Sequence, residues 1–531
     1  MGRMAVVWLA ALAAILGSST SKAGGPKKGR HFGIELEFLG RYQAPGDVFD
    51  ESAAEIVAHD PRTRRLFVVN GATNQIDVLD FDDPANMTLL FSIDLGAFGA
   101  GPTSVAVRDG VVAVAVEGFV KQQSGKVAFF DTDGRLLSQV SVGALPDMVT
   151  FTPDGKVVLT ANEGEPSADY ADDPPGSVSV IRIRHGVRRL EQNDVCTAGF
   201  ERFNDRKLDS SIRIFGPNAT VAQDLEPEYI AVSDDSRRAW VTLQENNAIG
   251  ILDIRECRFE KLEGLGFKHH LRRGSGLDAS DRDGGVRIAR WPLRGMYLPD
   301  AVSSFSSRGR TFLVTANEGD ARDYDAFAEE ERIGSLDLDP TAFPDAADLQ
   351  DDAALGRLTV TLTRGDTDGD GDFDELYSFG GRSFSIWDSR GKLVYDSGDA
   401  LERITAAALP DFFNSDNTEN NFDNRSDNKG PEPEGLAVAE LWGRTFLFLG
   451  LERIGGIAVF DVTEPYDPEF VVYENPRDFA GDPEAGTAGD LGPEGLIVVH
   501  ARTGRNRQPI LVVGNEVSGT TTAFQIRKVV R

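Results

Sequence analysis

Cysteine is nearly absent. Only Cys196 and Cys257 occur in 531 residues, so no disulfide framework is available, and one bridge or two free thiols are both open. Basic residues are also short, 55 against 85 acidic ones, for a net charge of -30. A chain this acidic is repelled by nucleic acid and by anionic membrane surfaces, and suits calcium. Recognisable catalytic motifs are missing too. There is no G-x-S-x-G elbow, no H-E-x-x-H and no glycine-rich phosphate loop. The six histidines (His31, His59, His185, His269, His270, His500) all fall outside the acidic loops described below.

Long apolar runs are lacking as well. The one stretch of note, Met4 to Leu16, falls short of the ~20 residues a membrane span needs. Arg3 precedes it and Ser21-Lys22-Ala23 follows it, the pattern of a signal peptide cleaved after Ala23. The chain closes on TTTAFQIRKVVR without an apolar tail. The expectation is therefore a leader at 1–23 and a mature chain without a membrane span or anchor, secreted or periplasmic.

What the sequence does have is repetition. A short apolar strand, a turn, a second apolar strand, a polar residue or acid and a third strand recur seven times, starting near 54, 102, 146, 227, 299, 433 and 493, and five of the seven open on a proline-acid pair. Such units cannot bury both faces alone, but arranged radially they stack face to face. The predicted fold is all-β, a seven-bladed β-propeller over residues 33–531. Phe32 to Tyr42 supplies a strand to close the ring, and Arg382 to Asp388 supplies the missing third strand of the fifth unit. Inserts at 185–226, 262–298, 325–380 and 389–430, rich in Asp, Asn, Gly and Ser, are expected to be long acidic loops, where binding residues gather.

The acids fall at two fixed places. The loop entering the first strand carries Glu55, Asp147, Glu228, Asp300, Glu434 and Glu494, with Thr103 in the second unit. The loop leaving the second strand carries Glu117, Glu163, Glu245, Glu318, Glu452 and Glu516, with Asn70 in the first. Both loops lie on one face of a four-stranded blade, so radial repetition makes two acidic rings around one channel mouth. Carboxylates this close must share protons or hold cations, with Ca²⁺ the natural occupant and another divalent metal possible. Glu163, Glu228, Glu318, Glu434, Glu494 and Glu516 are the candidate ligands; strand-end capping and pairing with arginine is the structural alternative.

The clearest single motif is Asp366-Thr-Asp368-Gly-Asp370-Gly371-Asp372-Phe-Asp374-Glu375. Its alternating aspartates and its glycine match the first half of an EF-hand loop. Tyr377 stands where the bidentate Glu belongs, which leaves Asp374 or Glu375 as a closer ligand. Asp278 to Gly284, with Asp281 and Asp283, is a weaker version. Arg322, Arg382 and Arg453 lie among the acids and would either receive a phosphate or serve as ion-pair partners.

The segments FDESAAEIVAHDP, GALPDMVTFTPDGK, LVTANEGDARDY, GDTDGDGDFDELYSFG, SDNKGPEPEGLAV and GLERIGGIAVFDV resemble the choice-of-anchor I family. That family takes in mesenchyme-specific cell-surface glycoproteins and proteins labelled alkaline phosphatases. The resemblance spans about residues 33 to 527 and implies a secreted or surface-displayed propeller. It supplies no catalytic residue. Two functions stay open: a calcium-binding extracellular protein that binds a ligand or partner, and a metal-dependent phosphoesterase acting on phosphate esters.

Overall fold

Short β-branched and aromatic stretches separated by Asp, Asn and Gly turns form antiparallel meanders. The computed structural model describes residues 32–46, 48–500 and 508–530; the expected leader lies outside them. Seven four-stranded sheets follow one another along the chain. Their first strands are Val57–Asp60, Pro102–Arg108, Pro146–Phe151, Pro227–Val232, Val302–Ser307, Pro433–Leu441 and Pro493–Val499. Each of these touches the first strand of the next sheet, and the seventh touches the first. The sheets therefore close on themselves as a β-propeller.

Closure uses both ends of the chain. Phe32–Gln43 pairs antiparallel with Thr520–Val530 and becomes the outer strand of the seventh sheet. That pairing leaves the seventh sheet without a missing strand and ties the ring shut. The fifth sheet reaches across a long insert for its third strand, Ser383–Asp388, which pairs with Arg310–Asn317. Between sheets the packing is apolar: Phe384, Leu447, Leu449 and Phe460 fill one interface, and Phe67, Val78, Val112 and Phe130 fill another. Each such buried side chain contributes about 1.5–3 kcal/mol relative to exposure.

The inserts depart from the expectation of plain loops. Phe267–His269, Arg294–Met296, Tyr377–Ser378, Thr359–Thr361 and Glu330–Arg332 form a five-stranded sheet of their own. It packs with a separate core of Trp291, Leu293, Ile333, Leu355, Leu358 and Leu376. The strands are two or three residues long, and one pair is parallel. Strands that short leave no alternating run to read, because their pairing is almost entirely non-local.

Cys196 and Cys257 are disulfide-bonded, 61 residues apart in sequence. Cys196 lies in Val195–Gly199, the outer strand of the third sheet, and Cys257 in the turn before Arg258–Gly264, the outer strand of the fourth. The bridge thus staples two neighbouring sheets at their rims, beside the stacked Phe200 and Phe259. For a closed loop of this length, chain entropy assigns the bridge about 4 kcal/mol. Cys196→Ser/Cys257→Ser should therefore unfold at clearly lower urea; a midpoint equal to that of the parent would mean that no bridge forms.

Candidate metal centre at the channel mouth

The acids reach the channel because the first strands open with a bulge. In the third sheet Pro146 pairs with Asn162, but Val149 pairs with Thr160, so one extra residue sits between them. The same shift follows Pro227, Pro433 and Pro493. Proline has no N–H to lose, and a bulge re-aims the side chain after it. Those side chains are Asp147, Glu228, Glu434 and Glu494. In the sixth and seventh sheets neighbouring strands then approach so closely that only glycine fits behind the acid. A Cβ on Gly435 would fall on the Glu494 carbonyl, and one on Gly495 on the Glu55 carbonyl.

A second device fixes the other ring. Asn162, Asn317 and Asn515 end second strands, are buried, and donate to hydroxyls of the third strand: Ser177 and Ser179, Ser383 and Ser385, Thr520 and Thr522. The acid one residue later, Glu163, Glu318 or Glu516, inherits that anchorage. An Asn-Glu pair followed by Ser-x-Ser or Thr-x-Thr is the sequence signal for this ring. It also corrects two positions. Asn70 is the buried asparagine of the first sheet, bonded to Asp77, and is not a counterpart of the ring acids. In the fourth sheet Gln244 follows the strand directly and lines the cavity, donating to Glu318. Glu245 falls one residue further on, and one step along a strand end turns a side chain the other way.

Together these devices build a cavity of about 300 Å³ at the channel mouth. Glu55, Asp147, Glu228, Asp300, Glu434 and Glu494 line it with Thr103, one from each sheet, and Glu163, Glu318 and Glu452 join them from the second strands. Glu516 stays off the lining and accepts a hydrogen bond from Ser52 Oγ at 2.7 Å.

Burial and mutual repulsion dominate the electrostatics. Burial, with Glu165 adding to it, pushes Asp147 up to about 7. Burial likewise pushes Glu163, Glu228, Asp300, Glu434 and Glu494 well above the carboxylate range, and each is reinforced by neighbouring acids. The Oε2 atoms of Glu228, Glu434 and Glu494 are buried without a hydrogen-bond partner. Asp300, Glu318 and Glu434 offer oxygens within 4.8 Å of one another. One Ca²⁺, with ligands at about 2.3–2.6 Å, spans such a group.

One flank of the mouth carries its own cations. Glu432 is fully buried and pairs with Arg425, Lys429 and Arg453. Although burial opposes it, those three charges, Lys429 foremost, hold its carboxyl well below the usual range. Lys429 Nζ also lies 3.1 Å from Glu318. Glu226 also meets a cation, 2.9 Å from Arg322, but there burial outweighs the arginine and pushes the carboxyl up. Both acids directly precede the strand-opening proline, so the triplets Glu226-Pro227-Glu228 and Glu432-Pro433-Glu434 mark them in sequence; the spacing of single acids does not.

The three arginines part company. Arg322 is buried against Asp224 and Glu226. Arg382 is buried with its guanidinium on Glu402 and on the carbonyls of Asp278, Ser426 and Asn428. Neither lines the cavity. Arg453 does, while pairing with Glu432 and Glu452.

The aspartate loop is exposed at 366–371 and half-buried at 372–374. Asp366, Asp368 and Asp374 bring oxygens within 4.8 Å of one another, while Asp370 and Asp372 stand outside that group. Asp366 accepts from the amides of Gly369 and Gly371 at 2.7 and 3.1 Å. Glu375 turns instead to Arg294 and the Tyr377 hydroxyl.

The choice-of-anchor I domain family matches this chain over residues 55–465. Gigasin-3a of Magallana gigas is 34% identical over 191 residues, which is 34% of this chain and 67% of that protein. The mesenchyme-specific cell surface glycoprotein of Strongylocentrotus purpuratus is 27% identical over 285 residues, 46% of this chain; the chain spans only 36% of that protein. Among solved structures, Kuenenia stuttgartiensis hydrazine synthase superposes with a TM-score of 0.46 at 12% identity, covering 91% of this chain and 97% of that one. Among the described residues no helix is long and apolar enough to cross a membrane.

The raised carboxyls fix the sign of the pH dependence. Asp147 rises from 3.8 to about 7 and Glu245 from 4.5 to about 8 on folding. A folded state that keeps its protons longer is fully stable below the unfolded values and loses that stability as pH climbs through the folded ones. With chelator present, the melting temperature should fall between about pH 5 and pH 9, and Asp147→Asn should flatten the fall. A melting temperature that rises across that range would contradict this electrostatic picture.

Proposed function

Because this chain belongs to the choice-of-anchor I family, we propose that it is an extracellular β-propeller whose acidic mouth holds Ca²⁺ or a similar divalent cation and binds a partner through it. The observation that carries this reading is the group Asp300, Glu318 and Glu434, set among buried carboxylate oxygens that have no partner. Uncompensated buried carboxylates are costly, and a hard divalent cation is the ligand that offsets the cost. Asp366, Asp368 and Asp374 form a second, exposed cation site on the same reading. Its amide-bonded Asp366 keeps the loop turned so that Asp374 closes it.

The extracellular setting draws on three supports. One relative is named a cell surface glycoprotein, the two cysteines are bonded to each other, and the N-terminal sequence reads as a leader. Binding is favoured over phosphoester hydrolysis by the arginines. A phosphate at the mouth would need free guanidinium donors; those of Arg322 and Arg382 are engaged inside the protein, and Arg453, which does line the mouth, is paired with Glu432 and Glu452.

Equilibrium dialysis of the chelator-stripped protein against Ca²⁺ tests the proposal. Asp300→Asn/Glu434→Gln should lose about one ion per chain, and Asp366→Asn/Asp368→Asn about one more. Unchanged calcium uptake in the first variant would remove the mouth site. Calcium-restored hydrolysis of p-nitrophenyl phosphate by the parent would replace the binding reading with a phosphoesterase.

A further inference from the structure

Behind the Arg382–Glu402 ion pair, away from the mouth, lies a second meeting of acids. Asp278 and Asp283 come from the insert after the fourth sheet, and Asp423 comes from the insert before the sixth. They offer three oxygens within 4.8 Å of one another. Asp278 is fully buried and Asp423 is 2% exposed. None of the three lines the mouth cavity, and among the described residues none of them forms an ion pair.

The local partners are all used elsewhere. Asp278 Oδ2 accepts the Arg287 amide, but Asp278 Oδ1 is buried with no partner at all. Asp423 Oδ1 has only the Ser426 hydroxyl, and Asp283 Oδ1 the Gly285 amide at 3.1 Å. Arg382, whose charge does reach Asp278, is paired with Glu402, and Glu402 in turn accepts the Asp278 amide at 3.0 Å. Asp281, which belongs to the same short stretch of sequence, is drawn off by Arg357 at 2.8 Å. Three carboxylates, two of them buried and Asp283 half-buried, thus face one another without an ion pair among the described residues.

We propose that Asp278, Asp283 and Asp423 form a distinct buried site for a hard divalent cation of the Ca²⁺ class, which staples the insert at 262–298 to the insert at 389–430. The oxygen spacing suits one ion with ligands at about 2.3–2.6 Å. All the available donors are oxygens, which selects hard cations over soft ones. Without an ion, burial first, then Glu402 and Asp283, push Asp278 up to about 7 against the pull of Arg382, and burial with Asp278 and Asp283 pushes Asp423 up to about 8, the pattern of charge incompletely answered.

Trp291 makes the site separately observable, because its Nε1 donates to the Leu277 carbonyl, one residue from Asp278. In the stripped full-length protein, Tb³⁺ should give emission excited through tryptophan and displaced by Ca²⁺. That emission should disappear in Asp278→Asn/Asp423→Asn and in Trp291→Phe, and persist in Asp300→Asn/Glu434→Gln. In chelator the Asn variant should melt no lower than the parent, since it removes unanswered charge, and it should gain less from Ca²⁺. Emission that survives both Asp278→Asn/Asp423→Asn and Trp291→Phe overturns the proposal; so does a calcium-induced shift in melting temperature that is the same in the Asn variant as in the parent. Loss of the mouth site alone would leave these outcomes unaffected.

Discussion

Seven strands that begin with a polar side chain cannot converge on one axis without bringing like charges together. That crowding is the constraint on which the rest of the molecule turns. Six of the seven positions are Asp or Glu, and the bulge after the strand-opening proline aims the side chain inward where the apolar alternation alone would have left it in the sheet. The same geometry that makes the ring compact, glycine backbones pressed against neighbouring carbonyls, brings the carboxylates close. At an effective dielectric suited to protein sites, each unrelieved pair a few angstroms apart costs on the order of several kcal/mol.

The protein answers this charge unevenly. On one flank, inserts deliver Arg425 and Lys429, and the blade itself delivers Arg453, to Glu432, Glu452 and Glu318. On another, Arg322 reaches Asp224 and Glu226 while its guanidinium lies over Phe215. Between those flanks, among the described residues, Asp147, Glu228 and Glu494 form no ion pair, and Lys121 only partly answers Asp147. Complete internal pairing would leave a mouth with no affinity for anything; complete lack of it would strain the ring. Partial pairing stiffens the surround and leaves a defined group of oxygens at the centre.

The inserts are structural partners in this, and more than loops. Beside their small sheet and its apolar core, Arg382, paired with Glu402, donates to the carbonyls of Ser426 and Asn428. These bonds hold Arg425 and Lys429 against the mouth. A lysine or arginine on a free loop would lose much of its side-chain entropy on docking; on a packed layer that ordering is already in place.

The sequence by itself determined the repeat, the strands and the face on which the acids gather, because all of these follow from short-range spacing. A proline, the acid after it and an apolar alternation open a bulged strand in the third, fourth, sixth and seventh sheets. Closure by Phe32 to Tyr42 and the distant third strand of the fifth sheet were also legible, since each reads as an unpaired apolar strand. The tertiary structure alone decided which acids face one another and which are paired. Asn70 and Glu245 misled by one residue at a strand end, where a single step changes the side of the sheet. Asp423 joined Asp278 and Asp283, and Asp281 left them for Arg357, because charge pairing acts over distance in space and takes no account of separation along the chain.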